Sequence, residues 1–268
     1  MAGLYLYCFR EDRGIPPLSL KGIDGVGEIF GISLRGLEAV VSEVSMEEFA
    51  SEEVQRKARE DLNWIKEKAV AHARIIEETM LQESSIWPLI PMKFGIIFKD
   101  ISGLRQVLEE NHSRFQEALE RVRGKQEWSV KVYLENRKAF EEEVKGKNDF
   151  IRQKQKEIAS LPEGMAYFVE EEFQTVLREG MERELALISN SLHESLRRKA
   201  DSSDRCKLLG KELTGRSAPM ILNGAYLCLE EKIGDFKKEV ETLSEEAKQR
   251  GLSVESSGPW PPYNFARW

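Results

Sequence analysis

Residues 3–9 read Gly-Leu-Tyr-Leu-Tyr-Cys-Phe, and apolar side chains fall on both alternating sides of that run. An extended segment of this kind puts Leu4, Leu6 and Cys8 on one face and Tyr5, Tyr7 and Phe9 on the other. It therefore reads as a central strand, apolar on both faces. A Gly/Pro loop over 14–27 follows. Two strand-like runs between Ile29 and Val44 are then separated by Arg35-Gly36, which predicts a tight hairpin turn. From Met46 to Gln82 the period changes. Val54, Ala58, Leu62, Ile65, Ala69, His72, Ile76 and Met80 recur at three or four residues, predicting one long amphipathic helix with Ser45 as its cap.

Pro88 and Pro91 end that helix, and Met92 to Phe98 alternates again as a strand. A second helix starts at Asp100 or Ser102, runs through Leu104, Leu108, Phe115, Leu119 and Val122, and closes at Gly124. Glu127 to Leu134 returns to strand alternation. This order predicts a ferredoxin-like α+β domain over 1–135 with a hairpin at its second strand position. Mixed charge then dominates 136–200, where two helical patterns broken at Leu161-Pro162 predict a solvated, hairpin-like helix pair. Over 201–268 the expected elements are strands at Cys206–Leu213 and Met220–Leu229, a helix from Ile233 to Ala247 and a short strand at Leu252–Glu255. They form a smaller α+β domain.

The charge balance and the cysteines narrow the function. Forty basic against 47 acidic residues leave a net charge of −7. That balance disfavours a general binder of nucleic acid or anionic membrane, both polyanions. Three cysteines, Cys8, Cys206 and Cys228, lie in apolar stretches without a CxxC pair, which points to a reducing cytoplasm rather than a disulfide framework or a zinc site. The N-terminus lacks the pattern of a secretory or transit signal. The longest uncharged stretch, Ser217 to Leu229, is roughly a dozen residues with Pro219 and Gly224 inside it, short of the roughly 20 apolar residues a bilayer requires.

Catalytic and cofactor signatures fail one by one. Gly22, Gly25, Gly27 and Gly31 have neither the spacing nor the strand-to-helix context of a dinucleotide loop, and Gly210-Lys211 lacks the rest of a P-loop. His72, His112 and His193 have no second histidine at metal-ligand spacing. Carboxylate runs at 141–143 and 170–172 fan around a helix and read as solvated faces. No nucleophile elbow accompanies the serines. Hence no catalytic residue, metal or cofactor is expected. Lys93 to Phe98 faintly echoes the aromatic strand of RNA-recognition modules, but it lacks their glycine and one aromatic position. A small-ligand or RNA-binding regulator using the ferredoxin-like sheet is the alternative function.

Two features remain for partner binding. The Tyr5, Tyr7 and Phe9 face is apolar and is the candidate partner surface, on the expectation that helices cover one side of the sheet alone; coverage of that face by the C-terminal half fits the residues equally well. The segment Pro259-Trp260-Pro261-Pro262-Tyr263-Asn264-Phe265 is rich in proline and aromatic rings. It is expected to fold back as a structural clasp through Pro259, Trp260, Pro261, Pro262, Tyr263 and Phe265, with Trp260 largely buried.

Four stretches together resemble the gas vesicle protein F/L family (GvpF/GvpL): Tyr5-Leu6-Tyr7, Pro91-Met92-Lys93-Phe94-Gly95-Ile96-Ile97-Phe98, Val130-Lys131-Val132, and the octet 258–265. Where family members often carry Pro-Leu-Arg-Phe-Gly, this chain has Met92 and Lys93, keeping one apolar and one basic residue. The resemblance implies a non-enzymatic minor component of the gas vesicle in the prokaryotic cytoplasm. Its implied partners are the small hydrophobic major shell protein and other accessory vesicle proteins, with neither nucleic acid nor membrane. It also implies the same fold, a ferredoxin-like domain followed by a second α+β domain.

Overall fold

In a computed structural model of the chain, strand β1 (Ala2–Glu11) is buried from Gly3 to Arg10 and is paired along both edges. The structure describes residues 2–14, 18–49, 52, 56–57, 60–82, 85–160 and 163–268, excepting the side chains of residue 62 and of 163–168. On one side β1 runs antiparallel to β3 (Leu37–Ser45), which pairs in turn with β2 (Ile29–Leu34). The β2–β3 connection is the expected Arg35-Gly36 turn. Both residues have positive φ, 50° and 83°, as the two-residue turn that matches strand twist requires.

A register shift between Leu6 and Cys8 interrupts the β1–β3 ladder. This bulge changes which side chains share a face. Cys8 joins Tyr5 and Tyr7 in a cluster with Ile75, Ile76 and Met80 of helix α2 (Leu62–Met80), which follows the short helix α1 (Met46–Phe49). Phe9 instead stacks on Phe115, ring centroids 4.4 Å apart. The expected set of Tyr5, Tyr7 and Phe9 is therefore split between faces. All three rings are interior, at 0%, 0% and 1% exposure, so they offer no surface to a partner. Arg10, the one charged side chain sealed into the strand, pairs with Glu38 at 2.5 Å, and the missing side chain at Gly31 leaves room for that carboxylate.

The far edge of β1 carries two short strands rather than one. After the hairpin of β4 (Leu81–Gln82) and β5 (Ser85–Ile86), strands β6 (Leu89–Pro91) and β7 (Ile97–Phe98) both pair antiparallel with β1. Residues 92–96, expected as continuous strand, leave the sheet between them. The opposite face is covered by α3 (Ile101–Glu110) and α4 (His112–Val122), which bury Leu104, Leu108, Phe115 and Leu119.

Side-chain caps divide helices that periodicity alone joins. Asp61, with φ −135°, accepts from the amides of Asn63 and Trp64, so α2 begins at Leu62 and does not run unbroken from Met46. Asp100 caps α3 as expected, and the expected single helix then breaks at Asn111. Val54, Ala58 and the Leu161-Pro162 break lie outside the described residues, as does the side chain of Leu62.

The chain forms two compact units, residues 1–127 with 259–268, and residues 128–258. These boundaries replace the expected 1–135, 136–200 and 201–268. Strand β8 (Lys125–Leu134) belongs to a second sheet, of order β11-β8-β10-β9, with β9 at Ser202–Arg205, β10 at Met220–Leu229 and β11 at Leu252–Trp260. The expected strand Cys206–Leu213 is instead a loop leading into a single helical turn, α8 (Lys211–Thr214).

The charged helices are part of the second unit's core. Asn148 accepts from the Ile151 amide and separates α5 (Arg137–Lys147) from α6 (Asp149–Ala159). Phe140, Val144 and Ile151 pack with Phe173, Leu177 and Met181 of α7 (Glu163–Arg197) and with Leu222 and Leu252 of the sheet. A Cβ at Gly180 would sit 2.8 Å from the Ile151 side chain, so α6 and α7 approach closely only because that position is glycine. Helix α9 (Ile233–Gln249) places Phe236 and Val240 on a further cluster with Trp128, Tyr226 and Leu196.

Removing the ring that Phe9 stacks on tests how the first unit is held together. Phe115→Ala, at a fully buried position, is expected to lower unfolding free energy by about 3–5 kcal/mol in urea titration.

Candidate functional site: a groove between an edge loop and the C-terminal segment

The excursion at 92–96 is tied to β1 at both ends. The Met92 amide donates to the Tyr7 carbonyl and the Leu6 amide donates to the Ile96 carbonyl, each at 2.9 Å. The loop thus leaves the sheet beside the bulge. Gly95, at φ 86°, makes its turn, and its amide donates to the Tyr5 hydroxyl at 2.9 Å. Phe94 lies edge-on to Tyr5 and to His72, with centroids 6.2 and 5.8 Å away.

His72 lies beneath this loop. Its Nε2 is 3.1 Å from the Met92 carbonyl, an acceptor, so that nitrogen carries the proton and Nδ1 accepts from the Tyr5 hydroxyl, also at 3.1 Å. Burial lowers the His72 pKa, opposed by the Met92 contact, and keeps the ring neutral. The Tyr7 hydroxyl is satisfied in a parallel way by Ser42 Oγ and the Ile23 amide, both at 2.8 Å, and burial raises it to about 12.

The C-terminal residues form the other wall. Pro259 and Trp260 end the edge strand β11, where proline costs no ladder hydrogen bond. Pro261, Pro262, Phe265 and Ala266 are buried in the first unit, and Pro262 accepts from the amides of Phe265 and Ala266. Glu127, itself buried, accepts from the Asn264 amide at 3.0 Å and from Asn264 Nδ2 at 2.7 Å. Arg121 donates to the carbonyls of Phe265 and Arg267. Trp268 stands edge-on to Phe115, centroids 4.7 Å apart.

Trp260 departs from expectation. It is 38% exposed, because it completes an outer strand rather than entering the core, and Tyr263 and Trp268 are 44% and 48% exposed. Sequence reasoning also missed Glu127 and Arg121, the residues that receive the segment. A carboxylate beside Trp128 in a strand was a signal for Glu127; nothing marked Arg121.

Between loop and segment lies a cavity of about 670 Å³, open to solvent. The loop contributes Met92, Lys93, Phe94 and Ile96, and the segment contributes Tyr263, Ala266, Arg267 and Trp268. Its charged lining consists of two cations, Lys93 and Arg267, with no carboxylate side chain. The loop lies in one of the stretches that carried the family resemblance and Tyr263 in another, here brought together from about 165 residues apart.

Two of the three cysteines are held inert. Burial pushes the Cys8 and Cys228 thiols up to about 12, so both are protonated at neutral pH. Among the described residues no three His, Cys, Asp or Glu side chains are gathered to hold a metal ion, and no helix is long and apolar enough to cross a membrane.

The family described as gas vesicle synthesis protein GvpL/GvpF matches residues 3–267. The chain belongs to the GvpF/GvpL family. Gas vesicle protein L of Streptomyces sp. (strain CB03234) is 31% identical over 263 residues, covering 97% of this chain and 92% of that protein. Gas vesicle protein F of Nostoc sp. (strain PCC 7120) is 25% identical, covering 99% and 98%. Among solved structures, gas vesicle protein GvpF from Anabaena sp. PCC7120 superposes with a TM-score of 0.77 at 21% identity, covering 100% of this chain and 99% of that one. GvpF from Microcystis aeruginosa gives 0.68 at 20% identity, with 99% of each chain covered. This GvpF/GvpL protein therefore has the GvpF fold, and its family is one of gas vesicle structural and assembly proteins.

The packing around the groove generates three predictions. Because folding holds the His72 pKa below the ordinary value near 6.5, the unfolded chain binds a proton that the folded one refuses once pH falls below about 6.5. Stability is then constant at alkaline pH and declines on acidification, by at most about 1.4 kcal/mol per pH unit for each such histidine. His193, lowered by burial in the second unit, adds to the same trend. Denaturant titrations from pH 8 to 5.5 are expected to show a flatter decline for His72→Gln than for the parent. Separately, Asn264→Ala removes the Nδ2 donor from Glu127 while leaving the backbone amide in place, and is expected to cost about 1–3 kcal/mol. Trp260→Ala is expected to cost less than Phe265→Ala, since Phe265 is 9% exposed against 38% for Trp260.

Proposed function

We propose that this GvpF/GvpL protein acts in gas vesicle formation by holding the hydrophobic major shell protein, together with other accessory vesicle proteins, until shell subunits join the growing wall. The reading rests on the family match over residues 3–267. Physical chemistry supports it. An apolar shell subunit in water needs its exposed surface covered before assembly, and a non-catalytic protein can do this by binding alone. Tyr5, Tyr7 and Phe9 act as the frame beneath the binding surface, since their rings are interior. The groove between residues 92–96 and the C-terminal segment is the contact site, and the clasp residues 261–265 hold its second wall in place. The place of action is the prokaryotic cytoplasm, at the vesicle.

Co-expression of the tagged chain with a gas vesicle major shell protein tests the proposal. The shell protein is expected to co-purify in soluble form and to precipitate when the tagged chain is omitted. Shell protein equally soluble without it, and absent from the purified fraction, would refute the reading.

A further inference from the structure

We infer that the groove receives an extended, aliphatic-rich segment of the shell protein bearing a carboxylate side chain. This deepens the reading above and rests on it. The carboxylate meets Lys93 and Arg267, and the aliphatic side chains lie along Phe94, Tyr263 and Trp268.

Charge complementarity carries the assignment. Acidic residues outnumber basic ones in the chain by 47 to 40, yet the charged side chains at this cavity are both cationic. Lys93 is exposed and, among the described residues, makes no ion pair. A carboxylate arriving here finds a charge that is not already neutralised. His72 adds no third charge, because it is neutral and both its nitrogens are engaged.

The remaining lining decides the rest of the ligand. Half-exposed Tyr263 and Trp268 stand beside the loop's Phe94 and Ile96, so most of what the groove offers is apolar. About 670 Å³ lies within the roughly 300–1,000 Å³ of ordinary ligand pockets, enough for a few side chains of an extended segment and too little for a packed helix. The walls are preorganised. The loop is tied down at Leu6, Tyr7 and Tyr5, and the segment at Glu127 and Arg121, so binding requires little ordering of the protein.

Full-length protein is tested against immobilised 12-residue peptides tiling the shell protein, beside the co-purification assay. Bound peptides are expected to carry Asp or Glu among aliphatic residues. Lys93→Glu is expected to weaken that binding at least tenfold with unchanged thermal unfolding, and Arg267→Glu to weaken it further. Replacing the peptide's carboxylate by Lys should restore binding to Lys93→Glu. As a control, Leu213→Asp, at an exposed position of the other unit, should bind as the parent does. If the parent retains shell protein and Lys93→Glu retains it equally, the groove assignment falls while the proposed function stands. If the parent retains no shell protein and binds no peptide, both fall. If Lys93→Glu abolishes self-association of the chain and leaves shell binding intact, the groove belongs to a second copy and the inference is overturned.

Discussion

Two tyrosine hydroxyls in the middle of a buried strand set the terms for the first unit. Burying Tyr5 and Tyr7 contributes roughly 2–3 kcal/mol per ring, but only if each hydroxyl finds partners in the interior. Tyr5 finds His72 and the Gly95 amide; Tyr7 finds Ser42 and the Ile23 amide. The two loops that supply those amides are thereby fixed against the sheet. One closes off the cluster near Ile23, and the other carries Lys93 and Phe94 to the groove. The candidate binding surface is thus a consequence of how the core satisfies its polar atoms.

The bulge in β1 makes that arrangement geometrically available. Without it, Phe9 would share a face with the tyrosines and Cys8 would face α4. With it, Phe9 reaches Phe115, and Phe115 in turn meets Trp268. A chain of three rings therefore links the central strand to the last residue. Loop and C-terminal segment are rooted in the same strand, through the hydroxyl of Tyr5 and the ring of Phe9. A site whose two walls share one rigid support keeps its width, which loops on separate supports do not guarantee.

Much of this was legible in the residues, and what was not has physical reasons. The apolar alternation of 3–9 identified the central strand, Arg35-Gly36 identified the β2–β3 hairpin turn, and Ile233 to Ala247 marked a helix that forms. Helix breaks at Asp61 and Asn148 escaped periodicity because an Asx cap interrupts the backbone without disturbing the apolar spacing. The stretch Glu127 to Leu134 was recognised as a strand, which the structure extends back to Lys125, and was given to the wrong sheet. Its alternation is the same in either sheet, and only pairing with distant segments decides. The burial of Tyr5, Tyr7 and Phe9 was misjudged through one assumption, that helices cover a single face. The excursion at 92–96 could not be read at all, because Met92, Phe94, Ile96 and Phe98 alternate as a strand would.

The net charge of −7 and the cationic groove point to the same kind of partner. At physiological ionic strength charges are screened over about 8 Å, so the acidic surface at large does not cancel Lys93 and Arg267 at close range. It does act against a polyanion, whose binding draws on many phosphate contacts spread over a broad surface. Two cations set among aromatic rings are too few for nucleic acid and well matched to one carboxylate on an apolar chain. Under the proposed function a further requirement applies: held apolar subunits must be released to a wall made of their own kind. A groove that anchors one carboxylate with two cations beside half-exposed rings meets both needs. It covers part of an apolar segment, and it can lose the competition to the extensive subunit–subunit burial of the wall itself.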